Sequence, residues 1–178
     1  MAGKFVPLVI SGILLFSISA SLCLADEDAE INKQKENILS LIEKGKFSEA
    51  KAATEKMIIE FPGQAKLPDM LYWIAGRYQM FDRFEDAKQI QEQIIRDYPE
   101  SPWALKARMG SAMTEAISLI MSGEFAEAKA VTAQIADDFA GNPDLAEMLY
   151  WISGKFQQFD NFEEAKQIYD QIIEDYPG

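Results

Sequence analysis

The chain has 178 residues, of which 48% are hydrophobic, so it can bury one ordinary core or a short array of repeats. Its 29 acidic residues outnumber its 17 Lys and Arg, and the net charge of −12 argues against binding to nucleic acid or to an anionic membrane surface. With no His and one Cys, the chain excludes Ser-His-Asp and Cys-His catalytic sites, His-ligated haem, most structural zinc sites and an internal disulfide. We therefore expect no metal site and no small-molecule cofactor, and the composition leans away from an enzyme.

The first predicted element is an uncharged, apolar segment over residues 5–25, which ends at the acidic run of residues 26–28. A short basic start, an apolar stretch and small residues near its end are typical of a secretory signal peptide, and residues 1–25 are interpreted as one. Two alternatives remain open. Cys23 could carry a lipid, although Leu22 stands where a small residue is wanted, or the uncleaved segment could anchor the chain in a membrane.

Beyond that segment the chain is an internal duplication. Of the 30 residues from 70 to 99, 21 are identical to the residue 78 positions later, without a gap. Each half divides again, because a similar segment recurs around alanines spaced by 37, 41 and 37 residues. These alanines are Ala50, Ala87, Ala128 and Ala165. We therefore predict four repeat units, two in residues 26–100 and two in residues 101–178.

Each unit is predicted to form two helices joined by a tight turn. In the second unit, apolar residues recur at the spacing of one helix face before a turn at residues 81–83, and again after it. The first face comprises Leu71, Ile74, Ala75 and Tyr78, and the second comprises Phe84, Ala87, Ile90, Ile94 and Ile95. The second helix should end at Tyr98, since Pro99 disfavours helix in the residue before it.

The third unit is predicted to begin with a longer helix. Ser101 is the expected cap, Pro102 lies in the first turn, and the helix runs to Met121. That is about two turns longer than the others, which accounts for the spacing of 41. The matching helix of the first unit is expected near residues 26–44. The predicted fold class is an all-α, right-handed solenoid in which stacked helix pairs bury one another's apolar faces.

The order of residue types resembles the tetratricopeptide repeat (TPR) family. Its pattern is two large residues, a small residue and an aromatic one, followed by an alanine, an aromatic residue and a proline. The fourth unit matches with Leu149, Ile152, Ser153, Phe156, Ala165, Tyr169 and Pro177. The second matches with Leu71, Ile74, Ala75, Tyr78, Ala87 and Pro99. The departures are Thr54, Gln91 and Thr132 in place of the aromatic residue, Ile38 in place of the small one, and Ala140 in place of a proline.

The resemblance implies a non-catalytic scaffold that binds a protein or peptide in the concave groove lined by the first helix of each pair. The implied binding residues are Asp69, Tyr72, Gln79, Met80, Met113, Ile117, Glu147, Tyr150, Gln157 and Gln158. Tyr and Gln suit a peptide ligand, because they offer apolar area and groups that hydrogen-bond a backbone. The alternative is that Tyr72 and Tyr150 pack between helices. Trp73 and Trp151 are expected in the core.

The Tyr-Trp run and the Asp-Tyr-Pro ending resemble exported bacterial TPR proteins of the cell envelope. This resemblance implies a periplasmic or envelope location, with membrane contact only through an uncleaved first segment. Some members of the family bind a C-terminal carboxylate through Lys and Asn side chains in the groove. Such a site is not expected here, because only Lys35 is suitably placed, and Leu39 and Glu43 occupy the other positions that it needs.

Two other classes of function remain open. The first is an enzyme that uses carboxylates, or an accessory helical domain or fragment of a larger envelope enzyme. Three adjacent carboxylate pairs are the candidates for a general acid and base: Glu85 with Asp86, Asp137 with Asp138, and Glu163 with Glu164. Adjacent side chains on a helix diverge by about 100°, so these pairs should not converge on one substrate atom. The second is self-association through an uncapped C-terminal face formed by Phe162, Ile168 and Ile172.

Overall fold

The computed structural model of the protein describes residues 28–176, and these residues form helices joined by short turns, without a strand. The first helix, α1, covers residues 28–43. It is followed by α2 (Phe47–Glu60), α3 (Leu67–Met80), α4 (Phe84–Asp97), α5 (Pro102–Ser122), α6 (Phe125–Asp138), α7 (Leu145–Gln158) and α8 (Phe162–Asp175). The predicted all-α repeat fold is therefore confirmed. The interpreted signal peptide, residues 1–25, lies outside the described residues.

The lengths and ends of these helices follow local sequence signals. Ser101 caps α5 as predicted, its hydroxyl accepting a hydrogen bond from the backbone N–H of Trp103 at 3.2 Å. With 21 residues, α5 is longer than α2, α3, α4, α6, α7 and α8, each of which has 14. In the part of the chain that the structure describes, no helix combines the length and the apolar character needed to cross a membrane.

Four turns share one backbone feature. The residue in the left-handed conformation is a glycine in two of them and an aspartate in the other two: Gly45 (φ 71°), Asp82 (φ 56°), Gly123 (φ 81°) and Asp160 (φ 61°). In each turn the next residue donates its N–H to a carbonyl five residues earlier, as Arg83 does to Tyr78 at 3.0 Å. Glycine and aspartate tolerate this conformation better than most residues, and their spacing of 37, 41 and 37 repeats that of the alanines.

The chain divides into two compact units, the first ending at Leu67 and the second running from Pro68 to Gly178. In unit one, α1 contributes buried Ile31, Ile38 and Ile42, and α2 contributes buried Ala50 and Met57. Thr54, which departs from the family pattern, is also buried. Its hydroxyl donates to the carbonyl of Ala50 at 2.9 Å, so the substitution leaves no unsatisfied polar group.

In unit two, α4 packs on α5, α5 packs on α6 and α7, and α7 packs on α6 and α8. One apolar cluster joins α5 to α8, consisting of Met109, Ala116, Ile120, Ala128, Ile135, Leu145, Met148, Leu149, Ile152, Phe156, Ala165 and Ile168. The four residues of α7 that match the family pattern are all buried in unit two. They are Leu149, Ile152, Ser153 and Phe156.

Gln91 of α4 replaces the family's aromatic residue at a point where α5 comes close. A Cβ atom added at Gly110 of α5 would lie 2.5 Å from the Nε2 atom of Gln91, which is buried. The hydroxyl of Thr114 accepts from Gln79 Nε2 at 2.8 Å and lies 3.5 Å from Gln91 Oε1. In α8, the equivalent Tyr169 is half-buried and its ring centroid lies 5.8 Å from that of Tyr150. Because Gly110 of α5 has no side chain, the amide of Gln91 fits against it, whereas the larger ring of an aromatic residue would not.

We expect Gln91→Tyr to lower the free energy of unfolding by about 1–3 kcal/mol, because a ring has no room beside Gly110. Urea unfolding monitored by tryptophan fluorescence measures this change, since the chain's three tryptophans all lie in unit two. Gln171→Tyr makes the same chemical change at an exposed position of α8 and should shift stability by less than about 0.5 kcal/mol. Equal stability of the two variants would contradict the account of position 91.

Candidate functional site

A groove in unit two is lined by α3, α5 and α7, which are the predicted first helices of the second, third and fourth repeats. It holds two adjoining cavities of about 210 and 340 Å³. We call the smaller one, lined by Tyr72, Lys106, Asp144 and Glu147 among others, the polar cavity. The larger one, lined by Met80, Phe84, Ile117 and Lys155 among others, is the apolar cavity. Met113 and Trp151 line both, so the two cavities form one continuous surface.

The polar cavity contains an ion pair and a carboxylate outside it. Lys106 Nζ lies 2.7 Å from Asp144 Oδ2, and this hydrogen bond raises the pKa of the lysine. Burial raises the pKa of the Tyr72 hydroxyl above its ordinary value. Glu147 is exposed and forms no ion pair with any residue of the described range. The two carboxylates and one ammonium group give the polar cavity a net negative charge.

The apolar cavity presents large apolar side chains to solvent. Met80 and Trp151 are exposed, and half-buried Met113 and buried Ile117 complete its apolar lining. At its edge, Lys155 Nζ lies 3.3 Å from Asp82 Oδ1 and 5.9 Å from the centroid of the Phe84 ring. This ion pair joins α7 to the turn between α3 and α4 and neutralises the lysine at that end of the groove.

The ion pair in the polar cavity has a counterpart in unit one with its charges exchanged. Asp28 of α1 pairs with Lys66, just before α3, at 2.6 Å. Both pairs join residues 38 apart, and Asp28 and Lys66 precede Lys106 and Asp144 by the 78 residues of the duplication. Opposite charges thus occur at these two positions in both halves of the duplication, in either order. We infer that Lys106 serves to join the start of α5 to the start of α7.

Exchanging the charges of this pair should preserve stability. Lys106→Asp or Asp144→Lys alone is expected to cost about 0.5–1 kcal/mol through like-charge repulsion, because both side chains are nearly half exposed. The double variant should recover to within about 0.3 kcal/mol of the parent. Urea titrations at low salt and in 0.5 M salt check this, since salt should reduce the losses of the single variants. Losses that simply add in the double variant would contradict the pairing.

Six of the ten predicted binding residues line the groove, namely Tyr72, Gln79, Met80, Met113, Ile117 and Glu147. Gln79 uses its amide to hydrogen-bond Thr114. The other four line neither cavity: Asp69, Tyr150, Gln157 and Gln158. Asp69 has one carboxylate oxygen enclosed without a hydrogen-bond partner among the described residues.

Helices α3 and α7 turn different flanks to the groove. From α3 the lining residues are the predicted Tyr72, Gln79 and Met80, together with Gly76. From α7 they are Glu147, Met148, Trp151 and Lys155, and Asp144 just before the helix also lines the groove. The repeat pattern assigns equivalent residues of α3 and α7 to the groove. However, α5 follows α3 in the chain and precedes α7, so the two helices face α5 with opposite flanks. Tyr150 therefore points away from these cavities and Trp151 takes its place.

The prediction that Trp73 and Trp151 lie in the core is wrong, because they are 57% and 59% exposed. Each is two positions after a fully buried leucine, which places it roughly 200° around the helix from the buried face. The spacing of Glu147, Trp151 and Lys155 by four residues is a signal that could have identified them as one exposed face.

The lysines and their partners in the groove were missed by sequence reasoning. The exchanged charges at the duplicated positions were a signal for Lys106 and Asp144. No pattern in the sequence indicates that Lys155 meets Asp82, because the two residues belong to different repeats.

The three adjacent carboxylate pairs lie on α4, α6 and α8, away from the groove. They therefore do not converge on either cavity. Across residues 28–176, no cluster of three or more potential metal ligands occurs.

Comparison with known proteins identifies one family. The family model described as tetratricopeptide repeat matches residues 146–178, which include nearly all of α7 and all of α8. No curated protein matches the chain. The match to one predicted repeat and the helical repeat fold support a TPR-like protein, and TPR modules generally mediate interactions between proteins.

Proposed function

We propose that the protein is a non-catalytic scaffold that holds a peptide or protein segment in the groove between α3, α5 and α7. The observation that carries this proposal is the exposure of Trp151 and Met80 within a concavity of about 340 Å³. Single exposed apolar residues are common on protein surfaces, but a contiguous apolar concavity with a polar rim is typical of a binding surface. A partner that covers these side chains removes apolar area from water, which favours association.

Site-specific photo-crosslinking in cells of the source organism tests the proposal. A benzophenone amino acid at position 80 should yield a discrete adduct that mass spectrometry identifies as a protein. The matched control is position 173 of α8, because Met80 and Ile173 are 73% and 72% exposed and Ile173 lines neither cavity of the groove. Identical adducts at both positions, or none at position 80, would argue against binding in the groove.

We also propose that the protein is exported and acts in the cell envelope. The support is the apolar segment of residues 5–25, its acidic boundary and the resemblance to exported TPR proteins. Mass spectrometry of the protein isolated from fractionated source cells tests this. An N-terminus at Asp26 in a periplasmic or envelope fraction is the expected result, and an intact Met1 in the cytoplasmic fraction would contradict it.

Self-association through the face of α8 that carries Phe162 is a second candidate. Phe84 is 8% exposed, whereas the equivalent Phe162 is 59% exposed, so an apolar surface covered in the second repeat is open in the fourth. Ile168, which was predicted to belong to this face, is instead buried in the core cluster. Sedimentation velocity of the full chain over a 100-fold concentration range tests the candidate, with Phe162→Ser as the variant that should remain monomeric. A parent chain that is monomeric throughout would exclude it.

A further inference from the structure

We infer that the segment held in the groove presents a cationic side chain, arginine above all, to the polar cavity and a large apolar side chain to the apolar cavity. This inference rests on the proposed function and specifies its partner. It follows from the charges, the aromatic walls and the spacing of the two cavities.

The charges that line the groove favour a cationic ligand, because the two carboxylates of the polar cavity, Asp144 and Glu147, share the single ammonium group of Lys106. Lys106 is neutralised by Asp144 at 2.7 Å, and Lys155 by Asp82 at 3.3 Å. Glu147 is the charged residue of the two cavities that forms no ion pair within the described part of the chain. The net charge of −12 on the whole chain has the same sign, so electrostatic attraction at long range also favours a basic segment.

The aromatic residues favour arginine among the cations. Tyr72 of α3 and Trp151 of α7 line the same polar cavity as Glu147, and Trp151 leaves more than half of its surface accessible. A guanidinium group can stack on an aromatic ring while it donates two parallel hydrogen bonds to a carboxylate. Glu147 and Trp151 are four residues apart on α7, so their side chains lie on one face and can share one such group.

The neighbouring cavity suits an aliphatic or aromatic side chain. Its apolar lining includes Met80 and Met113, whose flexible side chains can adapt to ligands of different shape. Along α7, Glu147 of the polar cavity lies one turn before the shared Trp151, and Lys155 of the apolar cavity lies one turn after it, each step being about 6 Å. Residues two apart in an extended peptide, or four apart in a helix, have about this separation.

Selection from a random 12-residue peptide library on the immobilised full chain tests the inference. We expect enriched peptides to carry Arg two to four residues from Leu, Met, Phe or Trp. Glu147→Gln should weaken the best peptide about fivefold, as expected for loss of one partly exposed charged contact. The matched control is Glu174→Gln, an exposed glutamate of α8 that lines neither cavity, and it should bind like the parent.

The outcomes separate this inference from the proposed function. Enrichment of acidic or uncharged peptides that shift the indole N–H resonance of Trp151 and not that of Trp73 would preserve binding in the groove and overturn the basic partner. Equal affinity of the parent and Glu147→Gln for a basic peptide would also overturn it. If no peptide is enriched, peptide binding by the groove fails, and the inference fails with it.

Discussion

We expect Phe156→Ala to lower the free energy of unfolding of unit two by about 3–5 kcal/mol. The Phe156 ring is fully buried in the apolar cluster that joins α7 to α8, together with Ile152, Ala165 and Ile168. Removing it opens a cavity between two helices whose backbones are held by their own hydrogen bonds. Because these helices can collapse only partly into the space, the loss includes contacts of the surrounding side chains as well as the transfer of the ring.

Urea unfolding monitored by tryptophan fluorescence measures this effect in unit two alone, since residues 28–67 contain no tryptophan. The matched control is Phe159→Ala, which removes the same ring three residues later, where it is partly exposed beyond the end of α7. We expect that control to lose less than about 1 kcal/mol. Similar losses in both variants would mean that the α7–α8 interface does not carry the stability of unit two.

The fold could be predicted because its determinants are local and repeated. Asp82 and Asp160 adopt the left-handed conformation at the same turn of two repeats, and Gly45 and Gly123 do so in the other two. The spacing of 41 residues predicted the long helix that begins at Pro102. Each of these features depends on a few neighbouring residues. A repeated sequence therefore specifies the helices and turns with little contribution from distant parts of the chain.

The candidate site was predicted only in part, because a repeat pattern assigns the same role to equivalent residues. Tyr72 and Tyr150 are equivalent, yet Tyr72 lies beside Trp103 of α5, at 5.2 Å between ring centroids, while Tyr150 is exposed. Which flank of a helix lines a cavity depends on the helices around it. The contact of Lys155 with Asp82 likewise depends on how successive repeats curve, which arises from small packing differences at every interface.

The second large effect expected concerns binding rather than stability. Trp151→Ala should weaken the affinity for the partner segment about 30-fold or more, the loss typical of a central aromatic residue in an interface. Trp151 lines both cavities, so its removal deletes a contact surface for the cationic side chain of the ligand and for its apolar side chain. Because the indole is already 59% exposed, unfolding stability should change by less than about 1 kcal/mol.

The duplication supplies the control for this prediction. Trp73→Ala removes the same side chain from the equivalent position of α3, where it is 57% exposed and lines neither cavity. Fluorescence anisotropy with the segment identified by crosslinking at position 80 should show parent-like affinity for Trp73→Ala and the full loss for Trp151→Ala. If both variants lose affinity equally, binding depends on exposed tryptophan in general. If neither does, the partner lies outside the groove. Only an asymmetric result ties recognition to the flank of α7 on which Glu147, Trp151 and Lys155 are aligned.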